Sequence, residues 1–411
     1  MDFPIDAVRA RFPALSAGNN RIYFDAPGGT QICQPAIDRM LAHLKSGTAN
    51  SGGAFITSRE TDALSEEAHR AMADLLGADP GEIAFGPNMT SLTLALSRAI
   101  SRKWGAGDEM VLTHLDHDAN VSPWLLVAQD KGMTVRWIDF DPASGMLDLD
   151  ALPGLLSDRT RLVAVGGASN ALGTLNDIKR ITGIIKAKSQ ALFFVDAVQS
   201  VPHIPTNVRD LGCDFLACSP YKFFGPHQGV LWGRAEVLEG IEAYKVRPAD
   251  ANPPGHRFET GTPSFEAQGG VLGTIEYLDW LGGHFSDANS RPERLRAAMT
   301  ACIAYERDLG ERMLAGLRAI PGVKLWGRPT MEGRVPTFAI TIEGHRPDDV
   351  ARKLAERDMF VWSGHFYAVE VIARLGLEQA GGLIRIGLCH YATADEVDRL
   401  LDALRRIVAG A

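Results

Sequence analysis

Residues 192–226 of the chain read LFFVDAVQSVPHIPTNVRDLGCDFLACSPYKFFGP. Two runs within this stretch, Leu192–Val195 and Phe215–Cys218, are apolar throughout, which is typical of parallel strands covered by helices on both faces. Asp196 follows the first run directly, and Lys222 lies on a turn shortly after the second. Because ligands bind beyond the carboxyl ends of such strands, we expect Asp196 and Lys222 to lie at a functional site.

Five further short apolar runs lie on either side of this stretch, alternating with longer amphipathic segments such as Asp177–Lys188. The runs are Ile83–Phe85, Met110–Thr113, Val135–Ile138, Leu162–Val165 and Val230–Trp232. Repeated alternation of strands and helices implies a mostly parallel sheet. We therefore predict an α/β fold whose large domain contains a mostly parallel seven-stranded sheet.

The pattern changes after about residue 265, where helices predominate. The predicted helices are Glu266–Leu281, Arg291–Ala319, Asp348–Arg357 and Ala394–Val408, and the predicted strands are Thr337–Ile342, Phe360–Trp362 and Leu383–Leu388. This arrangement is typical of a smaller α+β domain packed on the first. We place the large domain at residues 25–285 and the small domain at 286–411, and we expect residues 1–24 to pack with the small domain.

Composition argues against several classes of function. The 411 residues carry a net charge of −8 without a concentrated basic stretch, which disfavours binding to nucleic acid or to an anionic membrane. No apolar stretch is long enough to cross a bilayer and the N-terminus does not resemble a signal peptide, so we expect a cytoplasmic protein. The five cysteines are scattered without CxxC spacing, which predicts reduced, buried thiols and no metal site.

The pair Asp196 and Lys222 predicts a specific cofactor. A carboxylate after four apolar residues is costly unless it meets a cation or several donors. Aromatic residues and proline surround Lys222 in sequence, and such surroundings favour the neutral, nucleophilic amine. Pyridoxal phosphate (PLP) needs both groups: a lysine holds its aldehyde as an imine, and an aspartate keeps its pyridine nitrogen protonated. An ordinary buried Asp–Lys ion pair is the alternative.

Other candidate residues follow neighbouring strands. The segment Phe85–Ser91 ends a strand and opens a helix, and a loop of small and hydroxyl residues at a helix N-terminus is suited to bind phosphate, although Thr90 and Ser91 are also ordinary helix caps. His117 follows the strand Met110–Thr113 and could stack on a planar cofactor. Asn170 follows Leu162–Val165 and could bind the cofactor's phenolic oxygen. Their shared position at successive strand ends is the signal for one cofactor site.

Four stretches carry a resemblance that extends over nearly the whole chain. They are Asp116-His117-Asp118-Ala119-Asn120, Val195-Asp196-Ala197-Val198-Gln199, Ser219-Pro220-Tyr221-Lys222-Phe223-Phe224-Gly225-Pro226 and Phe258-Glu259-Thr260-Gly261-Thr262-Pro263. The chain resembles the class V aminotransferases of PLP fold type I, specifically their cysteine desulfurase-like branch. The resemblance implies a PLP enzyme that acts on an amino acid.

The resemblance also implies roles for individual residues. Lys222 would be the Schiff-base lysine and general acid/base, Asp196 would pair with the pyridine nitrogen and His117 would stack on the ring. The remaining cofactor contacts would come from Gln199 and Asn170 at the phenolic oxygen, and from Thr90, the Met89 backbone and Ser219 at the phosphate. Thr262 would reach the phosphate of the neighbouring subunit in a homodimer with shared active sites. Arg385 would bind the substrate carboxylate, with Gly28, His365 and Tyr367 also on the substrate side.

The sequence departs from this branch where sulfur transfer is carried out. Sulfur-transferring members present a cysteine after a Gly-His pair in the small domain, whereas here Tyr367 stands at that position. Tyr221 replaces a common histidine before the lysine, Trp362 replaces a frequent arginine, and Asn88-Met89 replace the usual Gly-Thr of the phosphate loop. A phenol cannot accept sulfur as a persulfide. The resemblance therefore implies a member that lacks the persulfide relay.

The favoured prediction is a lyase that cleaves a C–S bond or performs another β-elimination without persulfide capture. An aminotransferase and an amino-acid epimerase are close alternatives, because all three begin by removing the α-proton. A non-catalytic PLP-fold binding protein and a sulfur carrier using another thiol, such as Cys389, are further alternatives.

Overall fold

The computed structural model describes residues 2–16, 18 and 20–410. Its strands are β1 (Ile22–Tyr23), β2 (Ile83–Gly86), β3 (Glu109–Thr113), β4 (Thr134–Ile138), β5 (Phe140–Asp141), β6 (Met146–Leu147), β7 (Thr160–Gly166), β8 (Leu192–Asp196), β9 (Phe215–Cys218), β10 (Gly229–Gly233), β11 (Val323–Trp326), β12 (Thr337–Ile342), β13 (Met359–Phe360), β14 (Trp362–Gly364) and β15 (Leu383–Gly387). All seven apolar runs predicted as strands of the large domain lie in strands.

The helices surround these strands on both faces of the large sheet and in the C-terminal part of the chain. They are α1 (Ile5–Arg9), α2 (Pro13–Ser16), α3 (Gln34–Ser46), α4 (Ile56–Leu76), α5 (Met89–Ile100), α6 (Ser122–Lys131), α7 (Leu152–Leu155), α8 (Ile178–Lys188), α9 (Val208–Leu211), α10 (Ala235–Glu239), α11 (Phe265–Gly282), α12 (Arg291–Arg318), α13 (Pro347–Ala355), α14 (Val369–Leu375) and α15 (Ala394–Val408). Within the described ranges, no helix is long and apolar enough to cross a membrane.

The large sheet has seven strands in the order β2-β10-β9-β8-β7-β3-β4, and β10 alone runs antiparallel to its neighbours. This confirms the predicted mostly parallel seven-stranded sheet. Alternate residues of each strand enter two separate apolar cores: Phe193 and Val195 face one, and Phe194 faces the other. Both faces are thus covered, which explains why the strands read as uninterrupted apolar runs.

The C-terminal part contains a four-stranded antiparallel sheet in the order β11-β12-β15-β14. Strand β11 was not predicted, since it is an edge strand whose residues are only half-buried and give a weak apolar signal. The predicted strand Phe360–Trp362 was wrong as a single element. Its first half, β13, pairs with β1, whereas its second half, β14, pairs with β15, so the chain changes sheets at Val361.

Two features of the fold position the site. Register pairs Asp196, the last residue of β8, with Gly166 of β7 and Ala217 of β9, so its side chain is at the carboxyl edge of the sheet. The N-terminal segment crosses to the C-terminal part, where Ile22 of β1 pairs with Met359. The chain then continues through Asp25, which bridges to Gly387 at the end of β15. The division into domains at residues 25–285 and 286–411 stays a prediction.

Candidate active site

A cavity of about 1180 Å³ opens at the carboxyl end of the large sheet, between strand ends and the loop that follows β14. Every site residue predicted from sequence lines it except Thr262. Thr262 lines a neighbouring cavity of about 470 Å³, which shares Ser91 and His227 with the larger one. The fold therefore brings together residues that are up to 357 positions apart, from Gly28 to Arg385.

Lys222 ends a 3₁₀ turn, Pro220–Lys222, directly beyond β9. Its Nζ donates a hydrogen bond of 2.6 Å to the carbonyl oxygen of Pro27. Burial and, to a smaller extent, the positive charge of Arg385 together lower the pKa of Lys222 to about 7, against the opposing effects of Asp196 and Asp25. The amine is therefore available as a base close to neutral pH.

Asp196 is buried, and its Oδ1 accepts a hydrogen bond of 2.9 Å from the backbone N–H of Val198. Burial raises the pKa of this carboxyl group to about 6. Among the described residues Asp196 forms no ion pair within 4.0 Å, so the alternative of an ordinary Asp–Lys pair was wrong. A buried carboxylate without a cation is suited to receive a protonated ring nitrogen.

Gln199 and His117 lie beside these two residues. The side-chain amide of Gln199 donates to the same Pro27 oxygen at 2.8 Å. Nδ1 of His117 accepts a hydrogen bond of 3.0 Å from Ala119, so Nε2 carries the hydrogen of the neutral ring. Burial, with Lys222 and Arg385 adding to it, lowers the pKa of His117 to about 4. The imidazole is neutral at neutral pH and can stack on an aromatic ring.

The phosphate-binding candidates surround the N-terminus of α5. Asn88 caps this helix by accepting a hydrogen bond of 2.8 Å from Ser91, so the cap role considered for Thr90 belongs to Asn88. The hydroxyls of Thr90 and Ser219 line the cavity, and neither forms a hydrogen bond within the described part of the chain. A helix N-terminus with free hydroxyls beside it is a favourable site for an anion.

Arg385 lies on β15, is 5% exposed and has no carboxylate partner within 4.0 Å among the described residues. Its Nη1 donates to the carbonyl oxygen of Asn170 at 2.9 Å, and its guanidinium lies 4.3 Å from the centre of the Phe366 ring. Nε has no hydrogen-bond partner in the described part of the chain, and burial lowers the pKa of Arg385 to about 9. A buried guanidinium left partly unpaired favours an anionic ligand.

The loop after β14 closes the cavity from the C-terminal side. Phe366 and Tyr367 adopt left-handed backbone conformations, with φ of 54° and 57°, which cost energy for residues other than glycine. Two hydrogen bonds from the large sheet hold the loop: Asn170 Nδ2 donates to Phe366 O at 2.8 Å, and Asp118 N donates to Tyr367 O at 2.7 Å. The Tyr367 ring stacks on His117 with centroids 5.6 Å apart.

Sequence reasoning missed three polar residues around this site. Oδ1 of Asp25 has no hydrogen-bond partner among the residues that the structure describes, and burial raises the pKa of Asp25 to about 6. Burial together with the Asp196 charge raises the pKa of Asp116 to about 7, although Gly166 N and Asn120 Nδ2 donate to it. His227 stacks on Tyr221 at 4.6 Å. Asp116 could have been found from its place in the motif Asp116–Asn120. Asp25 comes close to Lys222 and Arg385 only when the chain folds.

The residues present fit PLP. The cavity combines a buried amine with a lowered pKa, a buried unpaired carboxylate, a neutral imidazole and free hydroxyls at a helix N-terminus. Asn170 Oδ1 is a further buried polar atom without a partner. Each of these groups leaves hydrogen-bonding capacity that a polar ring with a phosphate can satisfy.

Comparison with known proteins also indicates a PLP enzyme, and the similarity extends over nearly the whole chain. The family model for aminotransferase class V matches residues 22–400. A cysteine desulfurase of Yersinia pestis is 32% identical over 99% of both chains, and an aminotransferase-like protein of Gibberella zeae is 30% identical over 99% of both. The structure of a cysteine desulfurase from Thermococcus onnurineus, 28% identical, superposes with a TM-score of 0.89 and covers 100% of this chain and 99% of its own. The chain therefore belongs to the class V aminotransferase family and is a PLP-dependent enzyme.

Proposed function

We propose that the chain is a lyase that cleaves a C–S or other β-bond of an amino acid without passing sulfur to a protein thiol. The observation that carries this proposal is the position of the thiols. All five cysteines are 0% exposed, and none lines the cavity: they are Cys33, Cys213, Cys218, Cys302 and Cys389. Burial raises the pKa of every one of them, and that of Cys389 lies well above its ordinary range. A buried, protonated thiol is a poor acceptor of sulfur.

The cofactor would be held by the residues described above. Lys222 would bind its aldehyde carbon, Asp196 its ring nitrogen and His117 the face of its ring. Its phosphate would lie against Thr90, Ser219 and the N-terminus of α5, and Gln199 and Asn170 would contact the phenolic oxygen. When bound, the cofactor stabilises negative charge at the α-carbon of the substrate.

The chain's own groups orient the substrate and move its proton. Arg385 would bind the α-carboxylate, because its guanidinium is buried at the cavity wall and pairs with no carboxylate of residues 2–16, 18 or 20–410. Nζ of Lys222 would take the α-proton, since its lowered pKa makes the free amine accessible near neutral pH. Pro27, which accepts from Nζ, would keep the amine at the cavity.

His365 is suited to stabilise a leaving group by donating a hydrogen bond to it. Its Nδ1 accepts a hydrogen bond of 3.0 Å from Tyr367 N, so Nε2 carries the hydrogen of the neutral ring and His365 lines the cavity. The rings of Trp362, Phe366 and Tyr367 line the same wall and would restrict water around the reacting atoms. This arrangement supports departure of a group from the β-carbon.

Transamination is the second candidate, because one relative of similar length is named an aminotransferase-like protein. Both reactions need the same carboxylate anchor at Arg385 and the same base at Lys222. They differ in whether the amino group leaves as ammonia or is passed to a second keto acid. An epimerase would return the proton to the opposite face of the same carbon.

The proposal includes a homodimer with shared active sites in the cytoplasm. Four large apolar residues at the surface of α3 and the start of α4 support a second copy of the chain, since each is more than 40% exposed: Leu41, Leu44, Phe55 and Ile56. Thr262 lies outside the main cavity, as expected if it serves the partner's phosphate. The five free cysteines are in keeping with a reducing compartment.

The experiment combines product analysis with persulfide trapping. The purified enzyme with PLP is incubated with L-cysteine, L-cystine and other β-substituted amino acids, one at a time. Ammonia and keto acid in equal amounts, without a labelled cysteine, would support the lyase. Keto acid that appears only with an added amino acceptor would identify an aminotransferase, and inversion without keto acid an epimerase.

A labelled persulfide on one cysteine would overturn the proposal if replacing that cysteine by serine abolished sulfide release. Cys389→Ser is the first variant to compare, with Cys213→Ser as the matched control, because both thiols are fully buried. The variant Lys222→Ala should have no activity in any of these assays, whereas Lys103→Ala, at an exposed lysine, should behave as wild type.

A further inference from the structure

Three side chains with metal-binding atoms meet outside the cavity described above. They are His69 on α4, His256 on the 3₁₀ turn Pro254–Phe258 and Glu259 directly after that turn. Their ligand atoms all lie within 4.8 Å of one another, and the two imidazole centroids are 4.4 Å apart. The side chains of His69 and Glu259 are only 3% and 12% exposed. The cluster is therefore compact and largely shielded from water.

The hydrogen bonds of His69 place its Nε2 against the carboxylate of Glu259. Nδ1 of His69 lies 2.7 Å from the carbonyl oxygen of Ser65, so it must carry a hydrogen and donate it. In the neutral ring Nε2 then presents a lone pair, and it lies 2.8 Å from Oε1 of Glu259. That oxygen already accepts a hydrogen bond of 2.8 Å from Phe85 N. A proton on Nε2, or a metal ion bound by both atoms, makes this contact attractive.

His256 adds a third ligand beside this pair. Its side chain is half-buried and forms no hydrogen bond within the described ranges. Its ring centroid lies 4.4 Å from that of His69, so an imidazole nitrogen of His256 is close enough to share an ion with the pair. A histidine that donates its other N–H to a backbone carbonyl, as His69 does to Ser65, is the usual arrangement of a metal-bound imidazole.

We propose that His69, His256 and Glu259 bind a divalent transition-metal ion of the zinc type. Two imidazoles and one carboxylate form a donor set that suits Zn²⁺, Co²⁺ or Ni²⁺ better than Mg²⁺ or Ca²⁺, which prefer oxygen ligands. Water would complete a tetrahedral coordination. The sequence alone predicted no metal site, because His69 and Glu259 are 190 positions apart.

The site would act as a structural clamp. Glu259 lies three residues before Thr262 and binds Phe85 N at the end of β2, just ahead of the loop that opens α5. A metal ion would connect α4, this strand end and the segment that carries Thr262. Because the ion binds the folded chain and not the unfolded one, it should raise the thermal stability.

The test uses the enzyme with its cofactor, freed of metal by a chelator that is then removed. Zn²⁺ is titrated by calorimetry and Co²⁺ by its visible d–d absorption, with the melting temperature measured in parallel. Wild type should bind one ion per chain and melt at a higher temperature with Zn²⁺. His256→Gln, which removes a ligand without breaking a hydrogen bond, should bind the ion about tenfold more weakly or worse. His284→Gln, two residues beyond the C-terminal end of α11, should match wild type.

Two results would overturn the proposal. One is wild-type protein that binds no Zn²⁺ and shows no change in melting temperature. The other is His256→Gln protein that binds the ion as tightly as wild type, which would assign the binding to other residues. The cofactor spectrum of both proteins serves as the check that the variant is folded.

Discussion

Nζ of Lys222 donates a hydrogen bond of 2.6 Å to the carbonyl oxygen of Pro27 and does not pair with the buried carboxylate of Asp196. Gln199 donates to the same oxygen at 2.8 Å. Pro27 thus holds the amine of Lys222, while the negative charges of Asp25 and Asp196 act on it from nearby without forming an ion pair with it. This separation keeps the amine in equilibrium with its free-base form and leaves Asp196 available for the cofactor.

The lowered pKa of Lys222 predicts a pH-dependent stability difference in the cofactor-free protein. The folded amine loses its proton above about pH 7, whereas the unfolded amine keeps it up to about 10.5. Between these values the unfolded chain binds more protons, so stability of the wild type rises with pH. Lys222→Met has no buried amine to deprotonate, so we expect it to be more stable than wild type at pH 7. The difference in the free energy of unfolding between the two should shrink by about 1.4 kcal/mol per pH unit from pH 7 to 10. Urea unfolding at several pH values measures it, and a constant difference would contradict the lowered pKa.

Asp196→Asn should reduce kcat by about 100-fold or more, because the ring nitrogen of the cofactor loses its counter-charge. The cofactor-free fold should be no less stable than wild type, since burial already disfavours the charged carboxylate, as its raised pKa shows. The amide oxygen can still accept from Val198. Steady-state kinetics and urea unfolding distinguish the two effects. If the free energy of unfolding of Asp196→Asn fell as well as its kcat, the role of Asp196 would instead be structural.

Arg385→Lys should raise KM for the amino-acid substrate by about 10- to 100-fold, because a lysine cannot bind a carboxylate through two parallel hydrogen bonds. The cofactor spectrum should be retained, as Arg385 is assigned to the substrate. Arg307→Lys, at an exposed position on α12, is the matched control. An unchanged KM in Arg385→Lys would place the substrate carboxylate elsewhere.

Thr262→Val should weaken PLP binding by about tenfold, since one hydrogen bond to a charged phosphate is lost. In the proposed dimer this effect would come through the partner subunit, because Thr262 does not line the main cavity of its own chain. Thr260→Val, two residues away and exposed, should leave the affinity unchanged. Sedimentation should show a dimer. If the wild type sediments as a monomer and Thr262→Val binds PLP as tightly as wild type, the active sites are not shared between subunits.

Local sequence pattern was sufficient for most of the large domain. Uninterrupted apolar runs identify strands buried on both faces, and chain order places the residues after parallel strands at one edge of the sheet. Asp196, Lys222, His117 and Asn170 could therefore be assigned to one site. Strand β11 and the division of residues 359–364 between two sheets could not be predicted, because half-buried edge strands lack this pattern.

Residue types at fixed spacings along the chain were enough to establish the fold class and the family. Packing of the folded chain established which groups pair and which remain unpaired. It separated Lys222 from Asp196 and, within the described part of the chain, left Arg385 without a carboxylate partner. It also buried all five thiols and brought His69 within 2.8 Å of Glu259. These relations depend on burial and on distances between remote segments, and both arise only when the chain packs.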